Sequence, residues 1–289
     1  MAPLERFRIT HLSRCASTNT EIKRAIDGGE PARLVIRSDI QTGGYGRRGH
    51  AWTSPAGGLY FSCLLRPRYL TEDSERAAAE LSTIGLVAAI AVRRTLERFT
   101  LPEVAQLLKL KWPNDVILEA KSLADSTKEK PSAFQKLCGI SQEIHHDAVC
   151  LGIGINVFRP TLAEEPDGSR GQSKSPVSTI QPESARNAFA YLEDIAVAPA
   201  DLSLDEVFEV ALMNLEEELS LWEQEGFAGL VSEYTDAMAL LGTAVRLVDG
   251  SRVLGEGIIS GITDSGALLL RNRDSGEVRA FQGGHVLVL

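Results

Sequence analysis

With 289 residues, 44% hydrophobic and 24% charged, the chain is long enough for one large domain or two of unequal size around a substantial core. Its 39 acidic against 30 basic side chains leave a formal net charge of −9, which argues against broad nucleic-acid binding yet permits a small basic pocket. The four cysteines, Cys15, Cys63, Cys138 and Cys150, lack metal-type spacing and fit free thiols in a reducing cytoplasm; no apolar run approaches the ~20 residues of a bilayer span, and the N-terminus lacks the apolar stretch of a signal peptide.

Taken in chain order, Phe7 to Leu12 reads as a strand. Thr18 and Glu21 fit a capping box with Thr18 as N-cap, opening a helix that runs to about Asp27 and stops at Gly28-Gly29. Leu34 to Ile40 is strand-like, and the segment QTGGYGRRGHAW, Gln41 to Trp52, follows directly. Leu59 to Leu65 is a strand ended by Arg66-Pro67. Glu75 to Phe99 carries Ala79, Leu81, Ile84, Val87, Ile90, Ala91 and Leu96 at helical spacing and predicts a long helix covering a sheet. Leu108 to Leu118 is read as one strand containing KWPND. Leu137 to Ile144 and Ala148 to Val157 are two more strands, joined at a His145-His146-Asp147 turn to which no metal is assigned. Glu206 to Glu223 and Phe227 to Ala237 are helical. Lys121 to Gln135 and Pro160 to Ser175 are polar loops without apolar period, and no internal repeat is found.

The C-terminal part changes character. Ala244 to Val248, Val253 to Ile259, Ala267 to Arg271, Val278 to Phe281 and Val286 to Val288 are short strands between turns rich in Gly, Asp, Ser and Asn. The pattern predicts a small β-barrel as a separate module, with the boundary near Leu240 to Thr243 and domains spanning 1–240 and 241–289.

Four short stretches bear chemistry. In Gln41 to Trp52, glycines free backbone N–H groups to face an anion, and Arg47 and Arg48 add guanidinium forks; by itself such a loop is equally compatible with an ordinary surface loop. It matches neither a P-loop nor a Rossmann fingerprint. KWPND, Lys111 to Asp115, gathers a cation, an amide and a carboxylate, but Pro-Asn-Asp is also common turn chemistry. In KLCGI, Lys136 precedes Gly139; in GIGIN, Gly152 and Gly154 leave room for something flat on the sheet, or mark a bulge.

Their order decides between these readings. The STN segment, the QTGG-GRRG-W loop, KWPND, K-L-x-G-I and G-x-G-I-N, followed by a β-rich tail, closely resemble the biotin protein ligases, and the likeness spans almost the whole chain. The resemblance implies an α+β fold: a mixed β-sheet of the class II synthetase-like, biotin/lipoate ligase type flanked by helices, with a C-terminal SH3-like β-barrel. It implies the monofunctional form, without a DNA-binding domain, repressor role or nucleic-acid partner, and without a membrane association. The activity it implies is ATP-dependent biotinylation, with Mg²⁺, of a lysine on the acceptor domain of a biotin-dependent carboxylase through biotinyl-5′-AMP, with a homodimer as one possible assembly. By the same resemblance, Ser17, Thr18, Asn19, Gln41, Gly44, Gly139 and Gly152 hold biotin, together with Lys136. Arg47, Arg48, Trp52, Lys111, Asn114, Gly154 and Asn156 hold ATP or the adenylate. Lys136, Lys111, Arg47 and Asp115 carry the catalysis, with Asp115 either accepting the acceptor lysine's proton or simply pairing with Arg47.

The chain also departs from the family pattern. Tyr45 and His50 stand where arginine is usual or frequent, Cys138 stands where alanine is usual, and the segment before Lys136 is longer by an inserted loop. The rivals are a lipoate or octanoate ligase of the same fold and a non-catalytic module that binds biotin or an acceptor.

Overall fold

The computed structural model describes residues 7–72, 74–120, 133–160 and 189–289. The loops read at Lys121 to Gln135 and Pro160 to Ser175 fall for the most part outside them; Ala133 to Gln135, assigned to the first, instead begin a strand.

Seven strands form one sheet: β1 (Arg8–Leu12), β2 (Leu34–Ser38), β3 (Leu59–Leu65), β4 (Leu108–Lys111), β5 (Asp115–Ala120), β6 (Ala133–His145) and β7 (Ala148–Ile155). Their order is β1-β2-β3-β7-β6-β5-β4; β1 runs parallel to β2 and every other pairing is antiparallel, so the sheet is mixed. KWPND corrects the single strand read from Leu108 to Leu118. β4 ends at Lys111, a turn holding a cis Trp112–Pro113 peptide follows, and β5 returns antiparallel from Asp115. Pro113 cannot donate to a ladder, so the chain turns there instead of running through.

The strand period of two sorts the two faces. Along β7, Val149, Leu151, Ile153 and Ile155 join the main core under α2 (Glu75–Phe99). The alternate residues Ala148 and Cys150 pack instead with Ile22 and Ile26 of α1 (Thr18–Asp27). Beyond Cys150 that second face carries only Gly152 and Gly154, and α1 reaches the first of them through Asn19 at its N-terminus. One face of the sheet is thus fully covered, while the other is covered at one end and floored by glycine at the other.

A short α3 (Pro102–Ala105) follows α2. The long α4 (Leu204–Glu225) packs along α2, with Trp222 and Phe227 fully buried; burying such side chains contributes roughly 1.5–3 kcal/mol each. The second helix read from Phe227 to Ala237 is a 3₁₀ turn, Phe227–Leu230, that runs into α5 (Val231–Asp236). α1 begins one residue earlier than a Thr18 cap requires. Ser17 is its N-cap and makes no side-chain cap bond, and the Thr18 hydroxyl, expected to cap, donates to Gln41 instead.

The C-terminal strands β8 (Ala244–Asp249), β9 (Arg252–Ile262), β10 (Leu268–Arg271), β11 (Val278–Phe281) and β12 (His285–Val288) form an antiparallel sheet in the order β11-β10-β9-β8-β12. Among the described residues no pairing joins β11 to β12, so strand pairing alone does not close the sheet into a barrel. It is fastened to the large sheet by Trp112, whose buried indole donates to the Gly266 carbonyl at 2.9 Å, and its Val245, Leu247, Ile259, Leu268 and Val286 belong to the main core.

Candidate active site

The glycine-floored part of the sheet is a pocket of about 490 Å³, within the usual range for a small-molecule site. Its floor is two facing pairs of β6 and β7 residues, Gly139 opposite Gly154 and Ser141 opposite Gly152. The glycines are required by what lies on them. A Cβ at Gly139 or Gly154 would stand 2.8 or 2.7 Å from the Trp52 ring, and one at Gly152 would stand 2.1 Å from Asn19 Oδ1. The flat object expected on these glycines is therefore a side chain of the protein itself.

One end of the pocket is a closed hydrogen-bond network. Gln41 Oε1 accepts from the Thr18 backbone N–H at 2.8 Å and from Thr18 Oγ1 at 3.1 Å, while Gln41 Nε2 donates to Ser54 Oγ at 2.8 Å. Ser62 Oγ lies 2.7 Å from both Thr18 Oγ1 and Asn19 Oδ1, and Asn19 Nδ2 donates to Ser141 Oγ at 2.9 Å. The N-terminus of α1, strand β3 and strand β6 are tied through these contacts. Ser17, Thr18 and Asn19 are each at most 3% exposed, so their orientation is set before any ligand arrives.

At the other end the segment Gln41 to Trp52 folds back on itself as a hairpin. Thr42 N–H and Gly43 N–H donate to the Cys15 and Ala16 carbonyls, Trp52 N–H to the Gly44 carbonyl and Gly46 N–H to the His50 carbonyl. Its tip, Arg47–Gly49, is a 3₁₀ turn, and Gly49 at φ +73° takes the left-handed conformation that closes it. Gly44 has no room for a side chain, since a Cβ would meet Ser54 Oγ and the Trp52 carbonyl at 2.6 Å.

Lys136 and Asp115 stand under this hairpin. Their ion pair measures 2.7 Å, and Lys136 Nζ lies 4.9 Å from the centre of the Trp52 ring. The partner seen for Asp115 is thus a lysine from β6, where the sequence left open proton acceptance from the acceptor amine or pairing with Arg47. Asn114 clamps the KWPND turn onto β6, its Nδ2 donating to the Ile140 carbonyl at 3.0 Å. Trp52 Nε1–H is buried and meets no acceptor among the described residues.

Ser17, Thr18, Asn19, Gln41, Arg47, Trp52, Asn114, Asp115, Lys136, Gly139, Gly152 and Gly154 all line this one pocket. Gly44, Lys111 and Asn156 are not among the lining residues. Gly44 shapes the hairpin; Asn156 Nδ2 donates to the Lys136 carbonyl at 3.0 Å, fixing the backbone that carries the lysine. Lys111 lies behind the wall, close enough for its charge to act on His285. The Arg48 side chain lies outside the described residues.

Sequence reasoning missed the wall supplied by the C-terminal sheet: Val248, Gly250, Gly284 and His285. Burial lowers the His285 imidazole below its ordinary value, and Lys111, His50 and Lys136 act in the same direction against Asp115. No local motif marks these residues; only the docking of the second sheet brings them here. Burial likewise pushes the Cys138 thiol far up, so it sits beneath the site as an inert apolar side chain.

A pocket with oriented hydrogen-bond groups at one end and cations at the other, and with no thiol on its wall, is suited to holding small molecules in line to be joined, as a ligase does. The chain belongs to the Biotin/lipoate A/B protein ligase family, whose model matches residues 13–157, and residues 240–289 match the biotin protein ligase C terminal domain. It is 31% identical to the biotin–[acetyl-CoA-carboxylase] ligase of Paracoccus denitrificans over 90% of this chain and 92% of that protein. It is 28% identical to the bifunctional ligase/repressor BirA of Escherichia coli K12 over 86% of this chain, a match that spans 64% of BirA. Among solved structures, the biotin protein ligase from Aquifex aeolicus in complex with biotin and ATP shares the fold, with a TM-score of 0.68 at 23% identity over 98% of both chains.

Proposed function

We infer that this protein is a biotin protein ligase that transfers biotin, activated by ATP, to a lysine of the acceptor domain of a biotin-dependent carboxylase. One observation carries the reading beyond family membership: the Lys136–Asp115 pair, the Arg47 hairpin and the Thr18–Asn19–Gln41 network converge on a single pocket. In the first step a biotin carboxylate oxygen bonds to the α-phosphorus of ATP, and the bond to the β,γ-diphosphate breaks with its electron pair leaving on diphosphate. In the second, the acceptor's lysine nitrogen bonds to the acyl carbon, the carbon–oxygen bond to AMP breaks, and the amine gives up a proton.

The geometry supports a role for each group. The α1–β3–β6 network presents donors and acceptors already oriented for a ureido ring, which lowers the ordering cost of binding. Lys136 brings positive charge to where carboxylate and phosphate would otherwise repel, and preorganised charge of this kind contributes several kcal/mol to a transition state, while Arg47 at the hairpin tip holds the adenylate once it has formed. Asp115 orients Lys136 before adenylation and is the carboxylate in reach of an incoming amine. Trp52, with its unused N–H, supplies a flat face and a donor for the adenine. The hairpin screens the mixed anhydride from water. Mg²⁺ arrives on the nucleotide's phosphates: Asp115 is the sole carboxylate lining the pocket among the described residues, so the chain builds no cage of its own.

The chain divides into a ligase module, 1–240, and a C-terminal module, 241–289, that completes the pocket wall. We place it in the cytoplasm; its four cysteines are free, and no described helix is long and apolar enough to cross a membrane. For a homodimer the free edge is β1. The opposite edge, β4, is covered by Ala237 to Ala239 through Leu110, whereas no described residue pairs with the outer side of β1. Light scattering of the purified chain tests that assembly.

The decisive assay incubates the protein with ATP, Mg²⁺, an acceptor domain and either biotin or lipoate, then reads the acceptor's mass. A biotin increment that appears only with ATP is expected. A lipoyl increment would transfer the reading to the sister activity, and no increment with diphosphate release absent would reduce the protein to a binding module.

A further inference from the structure

The His145-His146-Asp147 turn meets a residue of α1 that the sequence gives no reason to connect with it. Asp27, the last residue of α1, places Oδ1 2.7 Å from His145 Nε2 and 3.3 Å from His146 Nε2. One ligand atom from each of the three residues lies within 4.8 Å of the others. Neighbouring residues on a strand point to opposite faces, so two adjacent histidines would ordinarily diverge. Here His146 adopts φ +52°, in the left-handed region that bulky residues rarely enter, and the turn swings its ring beside that of His145, centroids 4.4 Å apart. Asp147 is engaged elsewhere: its Oδ2 lies 3.0 Å from Arg66 Nε.

We propose that Asp27, His145 and His146 form a binding site for one divalent transition-metal ion of the Zn²⁺ type, with two imidazole nitrogens and one carboxylate oxygen as ligands and water completing the shell. The ligand set is the one such ions favour, and bond lengths of about 2.0–2.2 Å put neighbouring ligand atoms roughly 3 Å apart, close to the two carboxylate–imidazole separations already present. The groups are partly exposed, with Asp27 and His146 at 53% and 69%, so an ion has an open approach. The carboxyl end of α1 also presents its negative dipole end here, which favours a cation. Binding replaces the protons on the two Nε2 atoms where they are present, so proton release accompanies it. A bound ion ties the C-terminus of α1 to the β6–β7 turn, and the same three elements carry Asn19, Ser141 and Gly152 further along.

The test uses the full chain, without an affinity tag and stripped of metal by chelator, titrated with ZnCl₂ in a calorimeter and separately with CoCl₂ in a spectrophotometer. One Zn²⁺ per chain, a rise in Tm that saturates at one equivalent, and a cobalt spectrum free of sulfur-to-metal charge transfer are expected. His145→Ala/His146→Ala and the near-isosteric Asp27→Asn should each weaken Zn²⁺ binding about tenfold or more while leaving metal-free Tm near the parent value. Asp147→Asn should bind as the parent does. Should the double variant fold poorly, Asp27→Asn alone decides. Binding undiminished in Asp27→Asn, a thiolate signature with cobalt, or no heat above the buffer blank would overturn the site.

Discussion

The two ends of the pocket are built in opposite ways. At the α1 end the walls come from regular elements, and Thr18, Asn19, Gln41, Ser54, Ser62 and Ser141 satisfy one another in a largely buried network. At the hairpin end the wall is a turn between β2 and β3 that is held mainly by backbone bonds at its base, with charges at its tip and a buried indole N–H without an acceptor among the described residues. The first end is finished before a ligand binds, as recognition of a neutral ring demands. At the second, Lys136 and Arg47 line the pocket where a group changes charge during the reaction. Chemistry should therefore fail through single residues at the hairpin end and the strands beneath it, whereas affinity for the acid should fail through the network as a unit.

The largest effect is expected for Lys136→Ala. It removes the cation from the reacting centre and leaves Asp115 without its seen partner; losing one such stabilising group typically costs about 10²–10³-fold in rate. Diphosphate release measured with saturating biotin and ATP reads this directly, and activity within a few-fold of the parent would move the role to another cation. Next comes Gly152→Ala. The new methyl group would press on Asn19 Oδ1 and Ser141 Oγ, at 2.1 and 2.5 Å, and these two atoms belong to the network. A rise in the KM for biotin of about 10-fold or more is expected with a smaller change in kcat, since leaving buried hydrogen-bond partners unpaired costs about 1–3 kcal/mol. An unchanged KM would show that the network is adjustable and would erase the contrast between the two ends.

How much of this was legible in the sequence follows the same division. The long helix Glu75–Phe99 and the strand Leu59–Leu65 are read to the residue, the helix from its long apolar period and the strand as a short apolar run bounded by Gly57-Gly58 and Arg66-Pro67. KWPND is misread as part of one strand because Lys111 and Asp115 flank a turn whose strands are both apolar, and period alone cannot tell one strand from a tight hairpin. Thr18 looks like a cap until its tertiary partner Gln41 is known. The pocket residues in local motifs, from Ser17 to Gly154, are found by their company in the chain. His285, Gly284, Ser141 and Glu143 carry no local pattern, and their relevance comes only from register and from the docking of the second sheet.

At the hairpin, Arg47→Gly should leave diphosphate release within a few-fold of the parent but let the adenylate escape about tenfold faster, which a filter-binding chase with labelled biotin measures. If the intermediate is retained as long as in the parent, the hairpin is not the barrier to its release.

The smallest effect sharpens the comparison most, because it asks whether the two ends are mechanically joined. Lys23 of α1 forms an ion pair with Glu143 of β6, whose Oε1 also lies 3.5 Å from Asn19 Nδ2, and Lys23 Nζ stands 5.5 Å from the centre of the Tyr45 ring in the hairpin. Tyr45, where the resemblance led one to expect arginine, thus offers an uncharged ring to a cation held by the finished end. A cation–ring contact of this exposure contributes about 0.5–1 kcal/mol, so Lys23→Met and Tyr45→Leu should each speed adenylate escape roughly two- to fivefold, while Tyr45→Phe, which keeps the ring but loses the hydroxyl's hydrogen bond to Lys23, should fall between them and the parent. The double variant Lys23→Met/Tyr45→Leu should escape no faster than the worse single, the signature of two residues acting through one contact. Additive effects would mean that the hairpin and the network meet the ligand independently, and the pocket would then have two walls without a hinge between them.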